Sequence, residues 1–318
     1  MKGFDPKFRD FPDYILKITK EIWEDRGLGA RMKDYYHPEV VVRTPWGISV
    51  GEPAMTAATM ATVVEFPDRE LLGEDVIWSG DPEAGMLSSH RIYSRATHGG
   101  SGLFGAATRR PIGIYALADC YAKDGQISDE WLIRDNGGLV RQIGEEPRDW
   151  ALRKVEQGMR AFTADQDRAG PYSGRGNEHA LGQRLAELLE RLMAAEFSII
   201  PEAWDRAAEL HYPGGVEGHG WRDADRAWLG LRAAFPSAEF TVHHVIGRED
   251  PMMAPRAAVR WSLDGLHDGW GAFGAPSGAR VHVMGITQAE FGPWGLRREW
   301  TLWDETAIWM QIHAGGAA

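Results

Sequence analysis

Two aspartates and two histidines recur at matching places in this chain, and these are the side chains best suited to proton chemistry. In the run 126–135, read as a strand, Ile127, Asp129, Trp131, Ile133 and Asp135 share one face, because side chains alternate along a strand. Leu296, Arg298, Trp300, Leu302 and Asp304 repeat the arrangement. A carboxyl at the end of a largely apolar face, deprived of water, has its pKa raised toward neutrality, where a general base works. Asp135 and Asp304 are therefore candidate catalytic bases. The same positions have a structural reading, in which each aspartate caps the following turn or pairs with an arginine such as Arg134. His98 and His267 fall in phase with Ile92 and with Val259, Trp261 and Leu263. They are placed either to donate to a developing enolate or to bond loop backbone beside a glycine turn. Glu130 and Glu299 lie on the face opposite the tryptophans, and Arg91 and Arg260 on the face opposite the histidines. Charges on an outer sheet face read as interface or cross-strand partners.

Other motifs lead nowhere. The glycine-rich stretch 214–220 has no following Lys-Ser/Thr and no strand–turn–helix context, so it supports no phosphate loop. His211, His219, His243 and His244 lack a metal spacing. Cys120 is the single cysteine, which excludes an internal disulfide, and its small apolar neighbours read as an inert core. No metal and no cofactor is expected.

These residues sit in a chain that repeats itself. Residues 66–143 lie on residues 235–312 without a gap, and about a quarter of the positions are identical. Phe66-Pro67 meets Phe235-Pro236, His98 meets His267, Glu130-Trp131 meets Glu299-Trp300, and Asp135 meets Asp304. The period is that of a domain, so this is a duplication and not a solenoid. Each copy opens with helical spacing, Tyr14, Ile15, Ile18, Ile22 and Trp23 in the first, Leu185, Leu188, Leu189, Leu192 and Met193 in the second. A shorter helix is expected at 29–36 and at 201–210. Strands are expected at 88–97, 112–121 and 126–135, and at 257–266, 280–291 and 296–304. Helices followed by a sheet make an α+β fold. The expected division is 1–147, a linker over 148–179 with one helix around 150–162, and 180–318.

The residues that carry a family likeness are Phe66-Pro67-Asp68 before a strand, Thr97-His98-Gly99-Gly100 running into Leu103-Phe104-Gly105, and Glu130-Trp131 followed by Asp135 and Val140-Arg141-Gln142-Ile143-Gly144. The second copy keeps Phe235-Pro236, His267, Phe273-Gly274, Pro276-Ser277-Gly278 and Glu299-Trp300 with Asp304. The order and spacing, seen twice, resemble the SnoaL-like branch of the NTF2-like superfamily. The resemblance implies two cones, each a curved antiparallel sheet wrapped against about three helices around an apolar cavity. It implies a cyclase, isomerase or hydrolase working on a small carbonyl compound, of polyketide cyclase or ester cyclase type, or a binding protein with no chemistry. On this expectation Trp131, Trp300, Phe104, Phe273 and Trp261 line the pockets. The penultimate strands argue the other way. Their inner faces, Ile112, Ile114, Ala116, Ala118 and Cys120, and Val281, Val283, Gly285, Thr287 and Ala289, are apolar except for Thr287, where cyclases of this family tend to carry polar residues.

Composition bounds the partners. The net charge of −11 opposes binding to phosphate backbones and to anionic membranes, so neither nucleic acid nor membrane is expected. The N-terminal stretch is charged and lacks the apolar core of a signal peptide, so a cytoplasmic protein with a small apolar ligand is the expectation. Fourteen tryptophans leave three uses open: thick cores, an aromatic cavity, or an interface. The outward phase is unusually apolar, with Tyr115, Leu117 and Tyr121 in one copy and Met284, Ile286 and Trp303 in the other. This predicts that the copies pack sheet to sheet as a pseudo-dimer within one chain, a homodimer of such chains being the alternative.

Overall fold

In the computed structural model, residues 1–315 are described. The first sheet holds β1 (Tyr36–Thr44), β2 (Gly47–Val50), β3 (Glu70–Asp81), β4 (Gly85–Thr97), β5 (Pro111–Lys123) and β6 (Gln126–Arg134). Its order is β2-β1-β6-β5-β4-β3. Helices α1 (Phe11–Thr19), α2 (Ala30–Tyr35) and α3 (Glu52–Glu65) precede or interrupt it, and α4 (Asn136–Ile143) follows. Then come α5 (Pro147–Glu156), α6 (Ala180–Met193) and α7 (Ile200–Ala203). The second sheet repeats the first with β7 (Trp204–Tyr212), β8 (Val216–His219), β9 (Glu239–Arg248), β10 (Arg256–Leu266), β11 (Arg280–Gly292) and β12 (Gly295–Trp303), in the order β8-β7-β12-β11-β10-β9. Helix α8 (Trp221–Ala234) lies between β8 and β9, and α9 (Glu305–Gly315) follows β12. The fold is α+β, two sheet-plus-helix units with the same strand order.

Three local expectations are corrected. Each sheet is mixed, not wholly antiparallel, because β1 runs parallel to β6 and β7 parallel to β12. The helix expected at 201–210 ends at Ala203, and the rest is β7, where Trp204, Ala208, Leu210 and Tyr212 are buried between more open residues. The phase of β6 and β12 is shifted by one. A bulge falls where Tyr121 pairs with Asp129 and Ala122 with Ile127, leaving Ser128 over. A bulge adds one residue and re-aims every side chain beyond it. Ile127 faces inward, and beyond the bulge Glu130, Leu132 and Arg134 face inward in place of Asp129, Trp131 and Ile133. The second copy repeats the shift at Arg297, so Trp303 packs inside its cone against Trp228 and Trp261, while Leu302 faces out.

The two sheets meet through their outer faces. Leu117, Trp131 and Ile133 pack with Met284, Ile286 and Leu302, and Ile77 and Leu87 with Ile246 and Ala258. Polar groups cross the same plane. Arg91 donates to Gln288 at 2.9 Å, Gln288 donates to Ser89 at 3.1 Å, and His244 Nδ1 lies 3.1 Å from Asp119. Each copy lays an arginine over the other's tryptophan: Arg91 stands 3.4 Å from the ring centre of Trp300, and Arg260 4.4 Å from that of Trp131. The connecting segment is docked on the sheets. Gly176 bridges Val245, Tyr172 N donates to Asp129 at 3.0 Å, and Phe162 N to the Pro45 carbonyl at 2.9 Å. No helix among the described residues is long and apolar enough to cross a membrane.

Candidate functional site

The first copy encloses a cavity of about 320 Å³ between the inner face of its sheet and the helices. That lies at the small end of the range for small-molecule sites. The β5 wall is apolar, made by Ile112, Ile114, Ala116, Ala118 and Cys120. Helix α3 offers Ala58, Ala61 and Thr62, and the first helical segment Ile15, Ile18 and Trp23. Into this apolar space a few polar groups converge: Glu130 and Arg134 from β6, His90 and Ser94 from β4, Tyr36 from β1, Glu65 from the end of α3, and Arg69 just before β3.

Burial sets their charge states. Glu130 Oε2 accepts from the Tyr36 hydroxyl at 2.9 Å. Burial pushes the Glu130 carboxyl up, against the pull of the Tyr36 hydrogen bond and the Arg134 charge. Burial, then the neighbouring Glu130 charge, hold the Tyr36 hydroxyl well above its ordinary value. His90 is pulled down to about 4 by burial, so it is neutral at pH 7, with Nδ1 3.2 Å from Ser88 Oγ. Burial and then the charge of Arg134 pull Arg69 down to about 10, which still leaves it charged at pH 7. Burial raises the Glu65 carboxyl, while backbone N–H groups of Leu103 and Phe104, at 3.0 and 2.7 Å, oppose the rise. Burial raises the Cys120 thiol well above its ordinary range, which keeps it an unreactive wall group.

The residues singled out from the sequence lie mostly elsewhere. Phe104 lines the cavity. Trp131 and Trp300 do not, because the bulge turns them to the sheet–sheet plane. Asp135 does not; it ends β6 as the cap of α4, accepting from Gly138 N at 2.9 Å and from Gly214 N and Gly215 N of the other copy, each at 2.7 Å. Asp304 caps α9 in the same way, accepting from Thr306 N at 2.9 Å, Thr306 Oγ1 at 2.7 Å and Asn136 Nδ2 at 2.6 Å. The glycine-rich stretch thus does bind an anion, namely the Asp135 carboxylate. His98 stands behind the cavity wall, with Nδ1 3.1 Å from Thr108 Oγ1 and Nε2 3.4 Å from Glu65 Oε1. His267 makes the matching contact to Ser277 Oγ at 3.0 Å. Phe273 and Trp261 are core residues of the second copy.

Sequence reasoning missed Glu130 as a cavity residue, and with it His90, Tyr36, Arg69 and Arg134. Glu130 was placed outside by the unbroken alternation. The available signal was that both copies keep this glutamate, as Glu130 and Glu299.

The second copy fills the space that the first leaves open. Ile92 and its cross-strand neighbour Ala116 correspond to Trp261 and Gly285. Thr59 and Arg134 correspond to Trp228 and Trp303, and these three indoles pack together. Glu299, the counterpart of Glu130, accepts from Trp204 Nε1 at 2.8 Å, Tyr212 OH at 3.1 Å, Trp228 Nε1 at 3.1 Å and Thr301 Oγ1 at 2.7 Å. A carboxylate offers about four lone-pair sites, so Glu299 is saturated by the protein. Among the described residues no cluster of three or more His, Cys, Asp or Glu is placed to hold a metal.

No family model matches the chain, and no curated protein matches it. Among solved structures it is similar to IdmH, a candidate polyketide cyclase from Streptomyces antibioticus, with 23% identity, 42% of this chain and 97% of that one covered, and a TM-score of 0.37. A candidate SnoaL-like polyketide cyclase from Jannaschia sp. CCS1 gives 18%, 43%, 97% and 0.36 for the same quantities. A SnoaL-like polyketide cyclase from Agrobacterium tumefaciens gives 21%, 42%, 98% and 0.33. Each alignment takes in nearly the whole of the other protein and less than half of this chain.

Proposed function

We propose that the first copy, residues 1–147, binds a small, largely apolar carbonyl compound in its cavity and moves a proton on it, while the second copy, 180–318, is a filled scaffold. Residues 148–179 connect them, and the sheet-to-sheet contact makes the chain a pseudo-dimer of its own two halves. The observation that carries this reading is the Glu130–Tyr36 pair at the wall of a mainly apolar cavity. A carboxyl raised by burial is suited to take a proton from carbon next to a carbonyl near neutral pH. The C–H bond breaks, the proton goes to a Glu130 carboxylate oxygen, and the electron pair moves to the carbonyl oxygen as an enolate. The Arg134 charge on the same wall stabilises that developing anion. The lone thiol, Cys120, is buried and unpaired, which suits a reducing cytoplasm.

The test uses 2-acetonaphthone, an apolar ketone with an exchangeable methyl group. Its incorporation of deuterium in heavy water, followed by proton NMR, should run faster with the protein than in buffer, and Glu130→Gln should remove the excess. Binding of the ketone with no excess exchange would end the catalytic reading. One observation favours a non-catalytic binding or association module: the counterpart Glu299 is saturated by Trp204, Tyr212, Trp228 and Thr301.

A further inference from the structure

We infer that the ligand of the first cavity carries one carboxylate, and that Arg69 and Arg134 hold it. This rests on the reading that the cavity binds a small molecule. Both guanidinium groups line the cavity, and among the described residues neither side chain makes a hydrogen bond or an ion pair with the protein. Arg69 Nε is buried with no partner. A guanidinium carries five N–H donors and keeps its charge, so leaving it unmatched in an apolar enclosure is costly.

The carboxylates nearby are engaged elsewhere. Glu65 is spent on the amides of Leu103 and Phe104, Asp304 on Thr306 and Asn136, and Glu130 on Tyr36. Among the described residues neither Glu130 nor Glu65 reaches either guanidinium by a hydrogen bond or an ion pair, so the donors of both arginines stay open to an anionic ligand, and His90 adds no charge while neutral. A planar carboxylate fits the forked donors of guanidinium.

The second copy gives an internal control. At the positions of Arg69 and Arg134 it has Ala238 and Trp303, and it has Val259 and Leu263 for His90 and Ser94. The arginines disappear together with the open space, while the fold remains. They therefore belong to what the cavity receives and not to what the cone needs to stand.

The experiment compares 2-naphthoate with 2-acetonaphthone, which share a ring and a carbonyl but differ in charge, on the full chain by calorimetry. Charge-assisted hydrogen bonds predict that naphthoate binds at least about tenfold tighter than the ketone. Arg69→Met should abolish that preference while leaving ketone affinity unchanged, Arg134→Met should abolish it too, and Arg69→Lys should keep part of it. Circular dichroism melting identifies any variant that fails to fold, in which case the lysine variant carries the comparison. Equal affinity for both probes in the wild type, or a naphthoate preference untouched by both methionine variants, overturns the carboxylate assignment and leaves the binding reading standing. Absence of binding by either probe overturns both.

Discussion

Asp304 Oδ2 accepts a hydrogen bond of 2.6 Å from Asn136 Nδ2, joining the end of the second copy's last strand to the first residue of α4 in the first copy. The other oxygen accepts from Thr306 Oγ1, which in turn accepts from Trp46 Nε1 at 2.9 Å. Asn136 and Trp46 both line the first cavity. A carboxyl of the filled copy thus fixes two wall residues of the open one.

This places a titration at the boundary. Asp304 is raised to about 7, first by burial, with the Thr306 and Asn136 hydrogen bonds opposing and the Asp135 charge adding. The unfolded carboxyl releases its proton near its ordinary value, whereas the folded one retains it to about pH 7. The stabilisation from that retained proton is complete in acid and is lost as pH rises toward 7. Wild-type melting temperature should therefore fall between about pH 4 and pH 7 relative to Asp304→Asn, which has no such proton to lose. Parallel melting curves for the two proteins across that window would refute the assignment. Asp304→Ala should also weaken 2-acetonaphthone binding, because Asn136 and Trp46 lose their anchor.

Asp135 is the pseudo-symmetric partner, and its role is different. It gathers three backbone N–H groups, two of them from the β7–β8 turn at Gly214 and Gly215. Both glycines have positive φ, 86° and 70°, which lets their amides point at one carboxylate. Asp135→Ala leaves these buried donors without an acceptor and should destabilise the chain by roughly 2–4 kcal/mol. Denaturant unfolding measures this, while ketone affinity in the first cavity stays as it was. A change of affinity without a change of stability would restore Asp135 as a candidate catalytic group of the cavity.

Glu130 and Glu299 occupy the same position and should answer mutation in opposite ways. Glu299 accepts four hydrogen bonds, and a glutamine there turns an N–H₂ toward donors. Glu299→Gln should cost about 2–4 kcal/mol in stability. Glu130 accepts from Tyr36 and otherwise faces the cavity, so Glu130→Gln should cost under about 1 kcal/mol while removing the proton transfer. Comparable losses of stability in both variants would make Glu130 another structural carboxylate.

The duplication, the strands and the helical openings were legible because identity and periodicity survive in the ungapped register from Phe66-Pro67 to Gln142-Ile143. The site was not, for two physical reasons. A bulge at Ser128 has no mark in composition, yet it exchanges Trp131 for Glu130 on the inner face. The usual rule that the apolar face is the inner one also fails here, because the outer face is buried against the other copy and is apolar too. With both faces apolar, alternation gave no way to choose between them. The parallel strand β1 was hidden for a related reason: Val40-Val41-Val42 is a continuous apolar run without period.

The exchange of Ile92 and Ala116 for Trp261 and Gly285 gives the sharpest test of why only one copy is open. The two residues of each pair face one another across adjacent strands. A methyl group added to Gly285 would come within 2.2 Å of the Trp261 ring, so the indole and the missing side chain require each other. Gly285→Ala should therefore overpack the second cone and cost about 1–3 kcal/mol. In the first copy, Ile92→Trp alone forces an indole against the Ala116 methyl, and Ala116→Gly alone enlarges the cavity. Together they rebuild the second copy's arrangement and put the indole into the space near Arg134. The double variant should be more stable than the sum of the single changes predicts, a coupling of roughly 1–2 kcal/mol in a double-mutant cycle. It should also fail to bind 2-acetonaphthone. Additive stability, or ketone binding that survives the indole, would mean that the open space lies elsewhere in the cone and that the tryptophans of the second copy are not what closes it.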